Sequence, residues 1–156
     1  MSIHEDHIER AYHLARLALD QGEQPFSALL TINGEVLFEC INRVNSSGDL
    51  TRHPEIDVLR RGSVELGREK LKKATLYAST EPCAMCSGAL YWSGISRLVF
   101  GCPTETLAAI AGARLVVPCR ELFAKGRRSI ELIGPVLPET GAAIHQAYWD
   151  AQSGQQ

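Results

Sequence analysis

The chain has 156 residues, with 16 Lys+Arg against 18 Asp+Glu, a formal net charge of -2 and a pI of about 6.2. That length fits one domain, residues 1–156, with a sizeable core, and 45% hydrophobic with 22% charged residues argues against disorder. The near-neutral balance lacks the electrostatic footprint of a protein that grips a long nucleic-acid duplex, and no run approaches the ~20 apolar residues of a membrane span.

In chain order, residues 3–21 read as an amphipathic helix, with Ile8, Ala11, Tyr12, Ala15, Ala18 and Leu19 at helical spacing. Ser2 with Glu5 makes a capping box, and Gly22 is a natural stop. Phe26–Thr31 and Glu35–Ile41 flank Asn33-Gly34, a strong hairpin signal. A polar loop, NRVNSSGD, follows. A helix is expected from about His53 to Arg61, resuming through Glu65–Lys72. ATLYAS (74–79) is a buried-strand pattern, 83–93 a short helix rich in small residues, and Arg97–Phe100 another strand. Residues 104–112 look helical, Leu115–Val117 strand-like, 119–125 a helical turn, Ile130–Ile133 a last strand and 138–151 a terminal helix. This alternation predicts an α/β fold: a three-layer α/β/α sandwich on a central mixed five-stranded sheet, with one antiparallel hairpin on otherwise largely parallel strands.

Five cysteines (Cys40, Cys83, Cys86, Cys102, Cys119) are an odd count for a disulfide scaffold. The opening MSIHEDHIER has neither the basic start nor the apolar core of an export signal, so a cytoplasmic location is expected. Metal or catalytic use of the thiols becomes the reading to test.

Two segments stand out: His53-Pro54-Glu55 and Pro82-Cys83-Ala84-Met85-Cys86. Alone, Cys-x-x-Cys is a redox pair, half a zinc ribbon or two core cysteines. A ribbon needs a second pair, which this chain lacks. Pro82 suits the first turn of a helix, placing Cys83 and Cys86 on one face of that turn. The positive helix end favours the thiolate that binds zinc. One His and two Cys leave a fourth tetrahedral position open, the catalytic arrangement. In a regular helix, side chains two apart point roughly 200° from each other. At a helix start they lean toward the N-terminus, so Glu55 stands beside the metal's water and moves its proton without ligating.

His-x-Glu followed by Pro-Cys-x-x-Cys is the signature of zinc-dependent nucleobase deaminases. The chain resembles the cytidine-deaminase-like superfamily in its small bacterial and fungal branch, which holds guanine deaminases, fungal cytosine deaminases and tRNA adenosine deaminases. The likeness covers nearly the whole chain: PFSALL at 25–30, Asn42, TLYASTEPCAMCSGALYWSGISRLVFG at 75–101 and an aromatic terminal helix. It implies one Zn2+ per chain on His53, Cys83 and Cys86, with Glu55 as proton shuttle. It implies that Asn42 hydrogen-bonds the base, that Phe26 packs on its ring and that the Thr80 carbonyl accepts from the leaving amine. It also implies a homodimer. Pro54 departs from the Ala or Gly common in the family, and having no N–H it removes one possible donor to substrate. The alternative reading of Pro54 is a residue that starts the helix well.

Other features read more plainly. His4, His7 and His13 fit a solvated helix face, and Cys40, Cys102 and Cys119 fit small buried hydrophobes. Tyr91-Trp92 are expected to pack behind the Cys83–Cys86 helix, and Tyr148 and Trp149 to serve core or interface. REKLKK (68–73) and KGRR (125–128) fit cations at helix ends better than a nucleic-acid patch. Residues 129–156 contain no Lys or Arg, against a basic tail for tRNA.

Three functions are weighed: deamination of a free base, editing of a polynucleotide, and a non-catalytic zinc-folded domain. Glu55 speaks against the last and the charge balance against the second. The expected activity is zinc-dependent hydrolytic deamination of a small-molecule nucleobase or related amino-heterocycle, guanine favoured, with cytosine and then tRNA adenosine as alternatives. No membrane or nucleic-acid partner is expected. Glu139 is the candidate charged pocket residue, its plainer reading being an acid in a helix's first turn.

Overall fold

The computed structural model describes residues 2–112 and 115–153. Helix α1 (Ile3–Asp20) opens on the anticipated capping box, with the Ser2 N–H donating to Glu5 Oε2 at 2.8 Å and the Glu5 N–H to Ser2 Oγ at 3.2 Å. β1 (Ser27–Ile32) and β2 (Glu35–Ile41) pair antiparallel across Asn33-Gly34, whose φ values of 51° and 80° are those a primed hairpin turn needs. One helical turn, α2 (Val44–Ser47), interrupts the polar loop before α3 (Pro54–Glu65) and the short α4 (Arg68–Leu71). Then come β3 (Thr75–Thr80), α5 (Ala84–Ser93), β4 (Arg97–Cys102), α6 (Thr104–Ala111), α7 (Cys119–Phe123), β5 (Glu131–Ile133) and α8 (Pro138–Ser153).

The strands form one five-stranded sheet in the order β2-β1-β3-β4-β5. β1 runs antiparallel to β2 and β3, whereas β3, β4 and β5 are parallel. Neighbouring residues in a strand point to opposite faces, and the core divides accordingly. Leu30, Leu76, Leu90 and Leu98 belong to one apolar cluster, with Val58 and Leu59 of α3 and Phe123 of α7. Leu29, Tyr77 and Val99 belong to the other, with Ile8, Tyr12 and Leu14 of α1 and Ile144 of α8. All six residues of β3 are buried, as expected of a strand covered on both faces. The result is the three-layer α/β/α sandwich that the alternation of elements implies. No described helix is long and apolar enough to cross a membrane.

Four local expectations give way. Leu115–Val117 form no strand; Leu115 is 77% exposed, and the place beside β4 is taken by β5. The break expected between Arg61 and Glu65 falls later, at Gly67, whose φ of 81° belongs to no right-handed helix. Pro82 lies outside α5, because Cys83 is extended (φ -67°, ψ 174°) and is itself the N-cap. Trp92 does not pack behind α5 but stands 80% exposed, while Tyr91 contacts the Arg128 guanidinium at 5.0 Å.

Candidate active site

The site lies beyond the carboxyl ends of β3 and β4, where open α/β sheets bind ligands. The parallel pairing of Thr80 with Cys102 brings the Thr80-Glu81-Pro82-Cys83 segment to that edge. Two helices then start toward the same point. His53 is the N-cap of α3 and Cys83 the N-cap of α5, both in extended conformation, and neither side chain caps its own helix. Positions usually given to Ser, Thr, Asp or Asn are thereby free to project a ligand beyond the helix end. Pro54 at the start of α3 costs no hydrogen bond there, as its helix-starting reading requires.

His53 Nδ1 lies 3.6 Å from Cys83 Sγ and 3.5 Å from Cys86 Sγ, and the three ligand atoms sit within 4.8 Å of one another. A tetrahedral zinc with Zn–S near 2.3 Å and Zn–N near 2.05 Å spaces nitrogen and sulfur about 3.6 Å apart. These edges match, so the residues fit the ion. Glu55, buried, points its carboxylate at the same spot: Oε2 lies 3.4 Å from Cys86 Sγ.

The thiols and their neighbours hold protons unequally. The hydrogen bond from the Cys86 thiol, helped by the His53 ring, pulls Cys83 down to about 4 against the opposing effect of burial. Giving that bond, burial and the Glu55 charge push Cys86 up. The bond to Cys83 raises His53. Burial, then the Cys83 sulfur, push Glu55 up to about 7. A divalent cation requires both thiolates, so metal binding releases protons here.

Around this cluster is a cavity of about 310 Å³ lined by Gln24, Phe26, Asn42, His53, Pro54, Glu55, Glu81, Cys83, Thr104, Leu107, Ala108, Leu115 and Val116. Its wall brings Phe26, Asn42 and Pro54 together with His53, Glu55 and Cys83. Asn42 is held by its backbone N–H on the Phe26 carbonyl at 3.0 Å and by its Oδ1, which accepts from the Val44 N–H at 2.9 Å. That turn assigns the amide, so its NH2 is the end left for the cavity.

One predicted residue sits elsewhere, whereas Thr80 is buried with its hydroxyl 2.7 Å from His145 Nε2, a contact that leaves its backbone carbonyl uninvolved. Glu139 is exposed in the first turn of α8 and outside the cavity, which is the plain helix-start position. The α8 segment contributes differently: His145 is buried, 5.2 Å from the Phe26 ring between centroids, and supports that ring from behind. Tyr148 and Trp149 stack edge-on against each other and do not line the cavity.

Sequence reasoning missed Gln24, Glu81, His145 and the Arg52–Asp57 pair. Glu81 is a buried carboxylate whose Oε1 accepts from the Thr104 N–H at 3.1 Å and Oε2 from the Cys119 N–H at 2.7 Å, joining the starts of α6 and α7. An acid directly before Pro-Cys was the available signal. Asp57, also buried, takes the Arg52 guanidinium at 2.9 Å and ties the loop before His53 to the helix after it. The histidines of α1 are less idle than expected: His4 Nδ1 is 2.9 Å from the Tyr77 hydroxyl and His7 Nε2 3.1 Å from the Gly34 carbonyl. In KGRR, the Arg128 guanidinium donates to the Ile95, Leu90 and Tyr91 carbonyls, capping the C-terminus of α5.

A profile of the cytidine and deoxycytidylate deaminase zinc-binding region matches residues 1–102. The chain is similar to a probable cytosine deaminase of Schizosaccharomyces pombe, at 35% identity over 150 residues, covering 92% of this chain and 91% of that one. It is similar to a guanine deaminase of Bacillus subtilis, at 38% identity over 110 residues, covering 70% of each chain. Among solved structures, a guanine deaminase from Nitrosomonas europaea shares the fold with a TM-score of 0.83 at 24% identity, over 94% of this chain and 84% of that chain.

Proposed function

The chain belongs to the cytidine and deoxycytidylate deaminase zinc-binding family, and from that premise we propose that it hydrolytically deaminates a free nucleobase, guanine in first place. The observation that carries this reading is the Glu55 carboxylate, 3.4 Å from Cys86 Sγ inside a cavity with a zinc-spaced His53-Cys83-Cys86 set. When bound by those three residues, zinc supplies an activated water at neutral pH.

Glu55 takes a proton from the attacking water and delivers it to the departing nitrogen. Water oxygen bonds to the amino-bearing ring carbon, the exocyclic C–N bond breaks, and ammonia leaves as the carbonyl forms. Glu55 is buried beside the metal-ligand sulfurs, within reach of both the water and the departing nitrogen, as a group that must both accept and donate requires. Phe26 stacks on the base and the Asn42 NH2 donates to a ring acceptor. A volume of about 310 Å³ leaves room for a bicyclic ring. Cytosine is the second reading, favoured by the similarity to the Schizosaccharomyces pombe protein over 92% of this chain. We place the enzyme in the cytoplasm as a homodimer, with the exposed Trp92 face of α5 as its contact.

Ammonia release from zinc-loaded protein tests the reading, using guanine, cytosine, adenine, isocytosine, aminotriazines, cytidine and guanosine. Release from guanine supports it, and release from cytosine alone supports the second reading. Silence on every free base, with turnover of a tRNA, overturns it.

A further inference from the structure

The polar groups of the cavity wall leave one amide with both of its groups unused. Pro54 lines the wall and has no N–H to offer. Both oxygens of Glu81 are taken by the Thr104 and Cys119 N–H groups. Asn42 Oδ1 is taken by the Val44 N–H, so Asn42 presents donors. Thr104 offers a single hydroxyl. Gln24 also lines the cavity, and its carboxamide has no hydrogen-bond partner among the described residues, although its backbone carbonyl is fixed by the Phe26 N–H at 2.9 Å.

Resting on the reading of the site as a base deaminase, we propose that Gln24 is the specificity-determining residue that reads a lactam edge of the substrate, the adjacent ring N–H and C=O. A primary amide carries a donor and an acceptor side by side in one plane, the complement of that edge. Among the described wall residues, Gln24 is the one amide with both groups uncommitted. The short turn from Gln24 to Phe26 holds it beside the residue on which the ring stacks. Part of the wall is apolar, with Leu107 and Ala108 among its residues, and offers no side-chain hydrogen bond. The substrate class follows. It is a neutral base with an unsubstituted lactam edge, such as N1–H with C6=O in guanine or N1–H with C2=O in cytosine. A methyl group on that nitrogen removes the donor and leaves the Gln24 oxygen unpaired.

The test uses the zinc-loaded full chain, wild type beside Gln24→Ala and Gln24→Glu, with zinc content and circular dichroism checked for each. Substrates are guanine, cytosine and their 1-methyl derivatives. For the preferred base, Gln24→Ala is expected to raise KM about tenfold to a hundredfold, the scale of one or two lost hydrogen bonds, with kcat within about threefold. The wild type is expected to disfavour the 1-methyl base, and Gln24→Ala to lose most of that preference. Gln24→Glu keeps acceptors and loses the NH2, so its KM rises as well. A wild type that deaminates the base but shares KM and methyl discrimination with Gln24→Ala overturns the role of Gln24 alone. A zinc-loaded wild type inert toward all four compounds but active on a free base with no lactam edge, such as adenine, overturns this role alone, and inertness toward every free base overturns the reading of the site with it.

Discussion

Glu55 Oε2 and Cys86 Sγ lie 3.4 Å apart, both buried, one from the first turn of α3 and one from the first turn of α5. The proton-handling carboxylate is therefore packed against a metal-ligand sulfur, not hung on a mobile surface chain. Its place is set by the same helix start that projects His53.

Replacing Glu55 by Gln keeps the shape and the zinc while removing the proton carrier. Turnover is expected to fall by about 10²–10⁴-fold, the scale of general acid–base catalysis. Metal analysis alongside steady-state rates checks this, and an undiminished rate in zinc-loaded Glu55→Gln ends the proposed mechanism.

Cys83→Ala leaves two of three ligands. Stoichiometric zinc is expected to be lost on dialysis, and the zinc-dependent rise in Tm with it. Calorimetry with and without added zinc reads both; a variant that still holds one zinc per chain would falsify the ligand assignment.

Glu55 also predicts a pH signature of the metal-free protein. Burial holds it at about 7 against an ordinary 4.5, so between those values the folded state keeps a proton that the unfolded state releases. Its contribution to stability is therefore present at low pH and lost as pH rises toward 7. Cys83, held down to about 4 first by its bond from Cys86, works in the opposite sense, its contribution being lost as pH falls. The difference between metal-free wild type and metal-free Glu55→Gln isolates the carboxylate. The variant is expected to gain on the wild type by roughly 2–4 kcal/mol between pH 4.5 and 8. Urea titrations across that range decide, and a difference that does not move with pH counts against the buried, protonated Glu55.

Glu81→Ala removes the acceptor shared by the starts of α6 and α7. Two buried N–H groups then go unpaired, at a cost of about 2–4 kcal/mol. Because Leu107 and Ala108 of α6 line the cavity, KM for the base is expected to rise more than kcat falls. Equal stability of variant and wild type in denaturant titration contradicts this role.

How much of the site was legible follows from the distance over which each signal acts. His53, Glu55, Cys83 and Cys86 announce themselves because metal chemistry demands particular residue types, and helix starts impose short fixed spacings. The hairpin at Asn33-Gly34 and the capping box at Ser2 and Glu5 are equally local, each resting on the conformation or reach of a few residues. The order of elements then sufficed for the three-layer sandwich. Leu115–Val117 was misread because a three-residue apolar run looks alike as a strand and as a cavity rim. Only the presence of β5 beside β4 separates the two.

The tertiary structure alone decided which polar groups are already spoken for. The Thr80 hydroxyl meets His145 across 65 positions of chain, and the Glu81 carboxylate meets Cys119 across 38. Neither pairing leaves a periodic or compositional trace, because hydrogen bonds at such separation depend on where the sheet brings its edges. The same holds for Glu139, which sequence offered to the pocket and the packing of α8 leaves exposed. Residue types along the chain determined the chemistry this protein can hold. The pairing of β3 with β4, and the two helix starts that follow from it, decided where that chemistry faces and which side chains remain free to choose a substrate.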